Sequence, residues 1–91
     1  MDDLLAIHKR QEGLCALSGM RMTTALTRGR VWTNVSVDRV DSSRGYDVNN
    51  VQLVCLAANL MKNNLPQEDF VRWCRVIADK HALEPVEHWD R

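Results

Sequence analysis

The strongest constraint on the fold is a pair of short alternating runs, separated by a turn-rich segment and followed at once by a helical pattern. Both runs place apolar residues about two positions apart: Val35, Val37 and Val40 in the first, and Val51, Leu53 and Cys55 in the second. Such alternation is typical of half-buried strands. The segment between them, DSSRGYDVNN, is dense in turn-forming residues. The sequence therefore predicts a β-hairpin that leads directly into a helix.

Helical patterns surround this hairpin. Asp2 and Asp3 predict the start of a first helix, and Gly13 predicts its end. The helix after the hairpin begins at Leu56, and the pair Asn63-Asn64 ends it. A last helix opens at Leu65-Pro66 and carries apolar residues at helical spacing, which we expect to be core: Phe70, Val71, Trp73, Cys74, Ile77 and Ala78.

The segment between the first helix and the hairpin has two parts. Residues 14–17 and 20–22 are brief apolar runs around Ser18-Gly19, which suits a small strand pair or knuckle. The stretch TTALTRGR then predicts an exposed basic loop. Together these patterns predict an α+β domain, with a ββα core over 35–64 between the first helix and the long last helix.

Length and composition limit what this domain can be. With 91 residues the chain makes one small domain, 1–91, whose residues 83–91 we expect to form an extended acidic tail. No segment has the roughly 18 uninterrupted apolar residues of a membrane span, and the N-terminus does not follow the order of a signal peptide. Three cysteines, an odd number, do not form the even disulfide framework of a small secreted domain. A cytoplasmic protein with no membrane partner is expected.

Charge restricts nucleic-acid binding to a local patch. The chain has 12 Lys and Arg against 12 Asp and Glu, so no global attraction to phosphate exists. Residues 20–64, however, contain six basic side chains against three acidic ones. Any DNA contact is therefore predicted in this middle segment, through Arg28, Arg30, Arg39, Arg44 and Lys62.

Several polar positions of this segment follow one another in a recognisable order. They are Ser36, Asp38-Arg39, Gly45-Tyr46, Asn50-Val51, and Asn59 with Lys62. In this order the segment resembles the HNH, or ββα-metal, endonuclease family, and particularly its small phage-type members, with the upstream CALSG adding to the match. The resemblance covers about the central third of the chain and implies a DNA nuclease in a bacterial host cell.

The resemblance also implies roles for individual residues. Asp38 and Asn59 match the family's metal ligands, and their oxygen atoms suit one Mg²⁺ or Mn²⁺. Asn50 matches the asparagine that braces the loop by hydrogen bonding. Lys62, one turn beyond Asn59, has an ammonium that can reach a phosphate. Each residue also has an ordinary alternative: a solvated aspartate, asparagine or lysine, with Gly45 supplying a positive φ and Tyr46 covering core.

The cysteines depart from the family's zinc knuckle of two Cys-x-x-Cys pairs. Here only the first cysteine of each pair remains, Cys15 before Ser18 and Cys55 before Ala58. Two thiolates cannot close a tetrahedral structural zinc site. We therefore expect no structural zinc, and interpret Cys15 and Cys55 as small buried hydrophobic residues that face each other.

Arg39 is the second departure, because it stands where the family has its catalytic histidine. A guanidinium stays protonated at ordinary pH and cannot activate water. Arg39 can instead clamp the phosphate, with the proton removed through the metal ion's water or through a nearby group such as Asp41 or Tyr46. Alternatively, catalysis has been lost. His8, His81 and His88 lie outside the motif.

These residues leave two functions open. The first is a small phage-type HNH endonuclease that binds DNA and cleaves or nicks it with one divalent ion. The second is a catalytically degenerate HNH-fold protein that binds a protein partner, as an inhibitor or adaptor of a nucleic-acid-processing complex such as a bacterial defence system. Retention of Asp38, Asn50, Asn59 and Lys62 favours the first, and Arg39 with the two missing cysteines favours the second.

Overall fold

The computed structural model describes residues 2–26 and 29–81, and these form a small α+β domain. Its elements, in chain order, are α1 (Asp2–Arg10), β1 (Val35–Arg39), β2 (Val51–Cys55), α2 (Leu56–Lys62) and α3 (Gln67–His81). The two strands form an antiparallel sheet. The predicted hairpin, the helix that follows it and the two flanking helices are confirmed. Residues 83–91, predicted to be a tail, lie outside the described residues.

The chain ends its helices where turn-forming residues allow a positive φ. After α1 the backbone turns through Glu12 and Gly13, whose φ angles are 57° and 72°. Asn63, at 51°, ends α2 and donates its amide N–H to the carbonyl oxygen of Asn59. Glycine and asparagine tolerate this left-handed conformation better than other residues. Both predicted helix ends are therefore confirmed.

The segment between α1 and β1 covers one edge of the sheet. Leu14 and Arg21 form an antiparallel bridge, which gives the predicted knuckle, and the Ala16 amide donates to the carbonyl of Leu53. The side-chain amide of Gln11 also pairs with Leu53, donating to its carbonyl oxygen at 2.9 Å and accepting from its N–H at 3.0 Å. This edge of β2 is thereby hydrogen-bonded by a side chain and a loop.

The two faces of the hairpin differ in chemistry. One face carries Val37 and Leu53, which pair across the strands. The core joins buried side chains of the hairpin, α1, the knuckle and α2: Ile7, Cys15, Met22, Leu53, Val54, Cys55 and Ala58. The opposite face carries Ser36 and Asp38 towards α2. Val54 lies on the same face as Ser36 and Asp38, and it is fully buried because α2 covers that face.

The last helix is the main departure from prediction. Phe70 is buried, but Val71, Trp73, Val76 and Ile77 are each more than half exposed. The prediction that this apolar stripe is core is therefore wrong beyond Phe70. Helical spacing indicates that apolar residues share one face, but it does not indicate whether anything in the same chain packs against that face.

Candidate functional site

The candidate site lies where β1 faces α2. A strand turns alternate side chains to one face, so Ser36 and Asp38 point the same way. Positions three apart on a helix share a face, so Asn59 and Lys62 on α2 point back at them. The Asn59 amide nitrogen donates to Ser36 Oγ at 2.5 Å, and Lys62 Nζ donates to Asp38 Oδ2 at 2.6 Å. The interface between strand and helix is therefore a polar one.

Lys62 and Asp38 form a buried ion pair. The Lys62 side chain is fully buried and the Asp38 side chain is 6% exposed. The ammonium also donates to the carbonyl of Arg39 at 2.8 Å, and Gln52 donates to Asp38 Oδ2 at 2.9 Å. Both buried charges thus have partners, which is the condition for tolerating such a pair away from water. The sequence predicts that the Lys62 ammonium is free to reach a phosphate. In the structure it is instead paired with Asp38, which lies opposite the same face of α2.

Asp38 and Asn59 meet at one cavity. Its volume is about 370 Å³, and it is lined by residues of the hairpin and of the end of α2: Val37, Asp38, Arg39, Ser42, Tyr46, Asn59, Leu60, Asn63 and Asn64. The Asn59 nitrogen is occupied by Ser36 and by the carbonyl of Val37, so its Oδ1 is the atom left to accept. Asp38 Oδ1 likewise receives no hydrogen bond from the described residues.

Arg39 borders the same cavity and is held from two sides. Its guanidinium carbon lies 5.1 Å from the centroid of the Tyr46 ring, and its Nη1 donates to the carbonyl of Arg44 at 3.0 Å. Tyr46 itself is 70% exposed, so it does not cover core as the alternative interpretation expected. Stacking on an aromatic face fixes the plane of a guanidinium while leaving other N–H groups free to donate.

Asn50 braces the loop that joins the strands. It is buried, accepts a hydrogen bond from the Asp41 amide at 2.9 Å, and donates to the carbonyls of Asp41 and Gly45 at 3.0 and 2.8 Å. One side chain therefore joins three backbone groups of the loop. This is the bracing contact that the resemblance implies for the position, and it holds the loop that carries Tyr46 against the cavity.

Asp41 lies outside the cavity, although the sequence made it a candidate base. It is exposed, and hydrogen bonds from the Ser43 hydroxyl and amide hold the pKa of its carboxyl below its ordinary value. A general base works best with a pKa near the working pH. Position and hydrogen bonding both make Asp41 a poor base, and the described residues place no histidine at the cavity.

The predicted DNA-contacting arginines are not gathered in one place. Arg44 lies on the loop beside the cavity, 3.4 Å from the Asp47 carboxylate. Arg30 lies 6.0 Å from the ring centroid of Trp32, whose carbonyl accepts from the Ala57 amide at the start of α2. Arg30 is therefore at the Val35 end of the hairpin, away from Arg39. Arg28 lies outside the described residues.

The two remaining knuckle cysteines are buried together. The sulfur of Cys15 accepts hydrogen bonds from the amides of Ser18 and Cys55, both at 3.3 Å. Burial raises the pKa of the Cys15 thiol, but hydrogen bonds from Ser18 and the backbone outweigh it and leave the pKa below its ordinary value. Burial, with the Cys15 sulfur nearby, raises the pKa of Cys55. The Cys15 thiol therefore ionises more readily than the Cys55 thiol.

Gln52 and Gln67 belong to the site although the sequence did not single them out. Gln52 pairs with Asp38 across the strands and donates to the side-chain oxygen of Gln67 at 2.9 Å, which connects the site to α3. The alternation of the second run placed Gln52 on the polar face. Its position opposite Asp38 depends on the strand register, which the long connecting loop left open.

Comparisons with known proteins find no relative of this chain. No family model, curated protein or solved structure matches this chain. Across residues 2–26 and 29–81, no group of three or more His, Cys, Asp or Glu side chains is placed to hold a metal ion. No helix in the same ranges is both long and apolar enough to cross a membrane.

Proposed function

We propose that this protein is an HNH-like, ββα-metal DNA endonuclease that nicks DNA with one divalent ion. The observation that carries the proposal is the cavity between β1 and α2. There Asp38 and Asn59 each present an oxygen without a hydrogen-bond donor among the described residues, and Arg39 lies beside them. These are the residue types that phosphodiester cleavage requires: ligands for a cation and a positive group for the developing charge.

The donor set suits a hard cation. A carboxylate and an amide oxygen are ligands that Mg²⁺ and Mn²⁺ accept, and Mg²⁺ commonly uses one or two protein oxygens with the rest from water and phosphate. Asp38 Oδ1 and Asn59 Oδ1 would hold the ion. When bound, it would supply Lewis-acid stabilisation of the scissile phosphate and of the leaving oxygen.

Arg39 supplies the second positive charge. The Tyr46 ring and the Arg44 carbonyl hold the guanidinium at the edge of the cavity, and its remaining N–H groups can donate to a phosphate oxygen. Because a guanidinium keeps its proton, Arg39 acts as a clamp and not as a base. The amide side chains of Asn63 and Asn64, which also line the cavity, can donate to the phosphate as well.

One observation favours the second candidate function, a catalytically degenerate domain that binds a partner. The carboxylate of Asp38 is already neutralised by Lys62, so a divalent cation must compete with a buried ammonium 2.6 Å away. Since no histidine among the described residues lines the cavity either, weak metal affinity and slow cleavage at best are predicted. The two functions differ in whether any metal-dependent cleavage occurs.

Nicking of supercoiled plasmid, measured with Mg²⁺ and with Mn²⁺, separates the two functions. We expect slow nicking that is abolished by Asp38→Asn, which removes the charge and keeps the side-chain shape. Asp79→Asn, the same substitution at an exposed site on α3, serves as the matched control and should keep full activity. Circular dichroism should verify that both variants are folded. Wild-type protein without any metal-dependent nicking would contradict the nuclease and leave the degenerate domain.

Arg39 is tested in the same assay. Arg39→Ala should lose on the order of 10² in rate, because stabilisation of transition-state charge is lost. Arg39→His should retain activity or raise it, since imidazole titrates near neutral pH and restores a base. Full activity of Arg39→Ala would refute the clamp. An inactive wild type with an active Arg39→His would indicate a metal site that lacks only its base.

DNA binding itself should be weak and should fall steeply with salt, because few positive side chains are available. Arg44 is hydrogen-bonded to Arg39, which lines the cavity, whereas Arg30 lies at the far end of the hairpin, so the two arginines form a matched pair. Arg44→Glu should lower affinity for duplex DNA more than Arg30→Glu does. Equal effects, or an affinity that does not depend on salt, would place the DNA elsewhere on the surface.

A further inference from the structure

The last helix leaves the body of the domain after a single turn. At its start Gln67 accepts a hydrogen bond from Gln52, and Phe70 is buried. From Val71 to His81 every residue is exposed. Three large apolar side chains on this stretch, Trp73, Val76 and Ile77, are each nearly 60% exposed. A large apolar surface of this kind on a small domain indicates a contact with another molecule.

Trp73 and Ile77, but not Val76, line a groove between α3 and the end of α2. Phe70, Trp73, Cys74 and Ile77 follow the i, i+3, i+4, i+7 spacing of one helix face. With Met61 and Leu65 they line a groove of about 290 Å³ between the two helices. Its walls are almost entirely apolar, so it is shaped to receive side chains of another helix.

The charges along α3 indicate which helix fits. Its first turn is acidic, with Glu68 and Asp69, and its last turn carries the basic residues Lys80 and His81 beside Asp79. A partner helix whose charges all had the same sign could complement only one end of α3. A copy of α3 that runs in the opposite direction matches both, because each acidic end meets the other's basic end. The two helix dipoles are also opposed in this arrangement, which is favourable.

We propose that the groove binds a second copy of this chain, with the two α3 helices antiparallel across a two-fold axis. A two-fold contact requires a surface that is complementary to itself, and α3 meets this requirement by its charge order. Cys74 is the middle residue of the fifteen in α3, so it lies next to the axis and close to its own copy. The inference depends on α3 and the end of α2 alone, and it holds whether or not the domain cleaves DNA.

The expected dimer is weak. A helix of this length extends about 22 Å, and two such faces bury less than the roughly 1,200 Å² of a standard stable interface. Sedimentation velocity of the full chain, from about 1 to about 200 µM, should therefore show a reversible monomer–dimer equilibrium with a dissociation constant on the order of 10 µM. A chain that remains monomeric throughout this range overturns the proposal.

Substitutions on α3 locate the contact. Ile77→Asp introduces charge into the groove and should weaken the dimer by at least about tenfold, through the desolvation of a buried carboxylate. Val76→Asp is the matched control: Val76 is as exposed as Ile77, but it does not line the groove and lies about 160° around the helix from Cys74. It should leave the dimer unchanged. Equal effects of the two substitutions would contradict the proposed face.

Charge exchange tests the antiparallel direction. Asp69→Lys and Lys80→Asp should each weaken the dimer by about two- to fivefold, because each places like charges together at both ends of the pair. The double variant, Asp69→Lys with Lys80→Asp, should restore it. In a parallel pair each residue meets its own copy, so the double variant would rescue nothing, and that result would refute the antiparallel arrangement.

Cys74 gives an independent measurement of the axis. It is exposed, whereas Cys15 and Cys55 are buried. Mild oxidation should therefore join two chains through Cys74, as a covalent dimer on non-reducing gels that is absent for Cys74→Ser. Bridged cysteines need Cα atoms within about 7 Å. Failure of the oxidised dimer to form, under conditions where sedimentation detects dimer, would move the axis away from Cys74 and overturn that part of the proposal.

Discussion

Lys62 stabilises the fold and at the same time limits metal binding at Asp38. Its ammonium is fully buried and joins α2 to β1 through Asp38 and the carbonyl of Arg39. Removing one partner of a buried ion pair leaves the other charge without compensation, which is far more destabilising than removing both. The same ammonium is paired with the carboxylate of Asp38, which would also bind the metal ion, so the ion must compete with it. Stability without metal and affinity for metal are therefore opposed at this residue.

We expect Lys62→Met to lower the free energy of unfolding by about 3–5 kcal/mol, because Asp38 is left buried and unpaired. Divalent ions should then restore part of the loss, since the carboxylate becomes free to bind them. Thermal unfolding with and without Mn²⁺ measures both effects. Lys80→Met, at an exposed lysine of α3, should show neither. If Mn²⁺ does not change the melting temperature of Lys62→Met, Asp38 is not a metal ligand.

At the scale of elements, α3 differs from α1 and α2 in how it is attached. α1 packs on β2 and α2 packs on both strands, and each buries side chains against the hairpin. α3 is attached at its first turn, through Gln67 and Phe70. Helical segments gain most of their stability from tertiary packing, so the far end of α3 depends on its own propensity and on any partner.

This attachment predicts unequal effects of two aromatic substitutions on α3. Phe70→Ala should destabilise the domain by about 3 kcal/mol, as expected for a buried phenylalanine. Trp73→Ala should change stability by no more than about 0.5 kcal/mol, because the side chain is 58% exposed. Chemical denaturation at sub-micromolar protein keeps self-association out of the measurement. A large loss of stability from Trp73→Ala at that concentration would mean that the apolar stripe of α3 packs in the core.

At the scale of the whole molecule, a small core and a hydrogen-bonded sheet edge hold the domain together. Leu53 is central to both: its side chain is in the core, and its backbone pairs with Gln11 and Ala16. Cys15 and Cys55 contribute to the same core as buried side chains, with hydrogen bonds to the Cys15 sulfur. These contacts join protein groups directly to one another, so the fold should not depend on a metal ion.

We therefore expect purified protein to contain no stoichiometric zinc, and its melting temperature to be unchanged by a strong chelator. Two sulfur ligands leave a tetrahedral zinc site half empty, which is too few for a structural site. Elemental analysis and thermal unfolding with and without chelator make the measurement. Zinc at one ion per chain, or a fall in melting temperature on chelation, would show that other side chains complete the site.

Much of the fold follows from local patterns in the sequence. The alternation in 35–40 and 51–55 predicts the two strands, and Gly13 and Asn63 predict where α1 and α2 end. These predictions succeed because alternation, helical spacing and left-handed turns are properties of a few neighbouring residues. The order of Asp38, Arg39, Asn50 and Asn59 likewise indicates which residues to consider for the site.

Other features depend on contacts between residues that are distant in the chain. The pairing of Lys62 with Asp38, and the place of Gln52 beside them, depend on the strand register and on how α2 lies across the hairpin. The exposure of α3 is the same kind of feature, because an apolar stripe has the same spacing whether it faces core or solvent. Periodicity specifies which side chains share a face, but the partner of that face is set by packing across the whole domain.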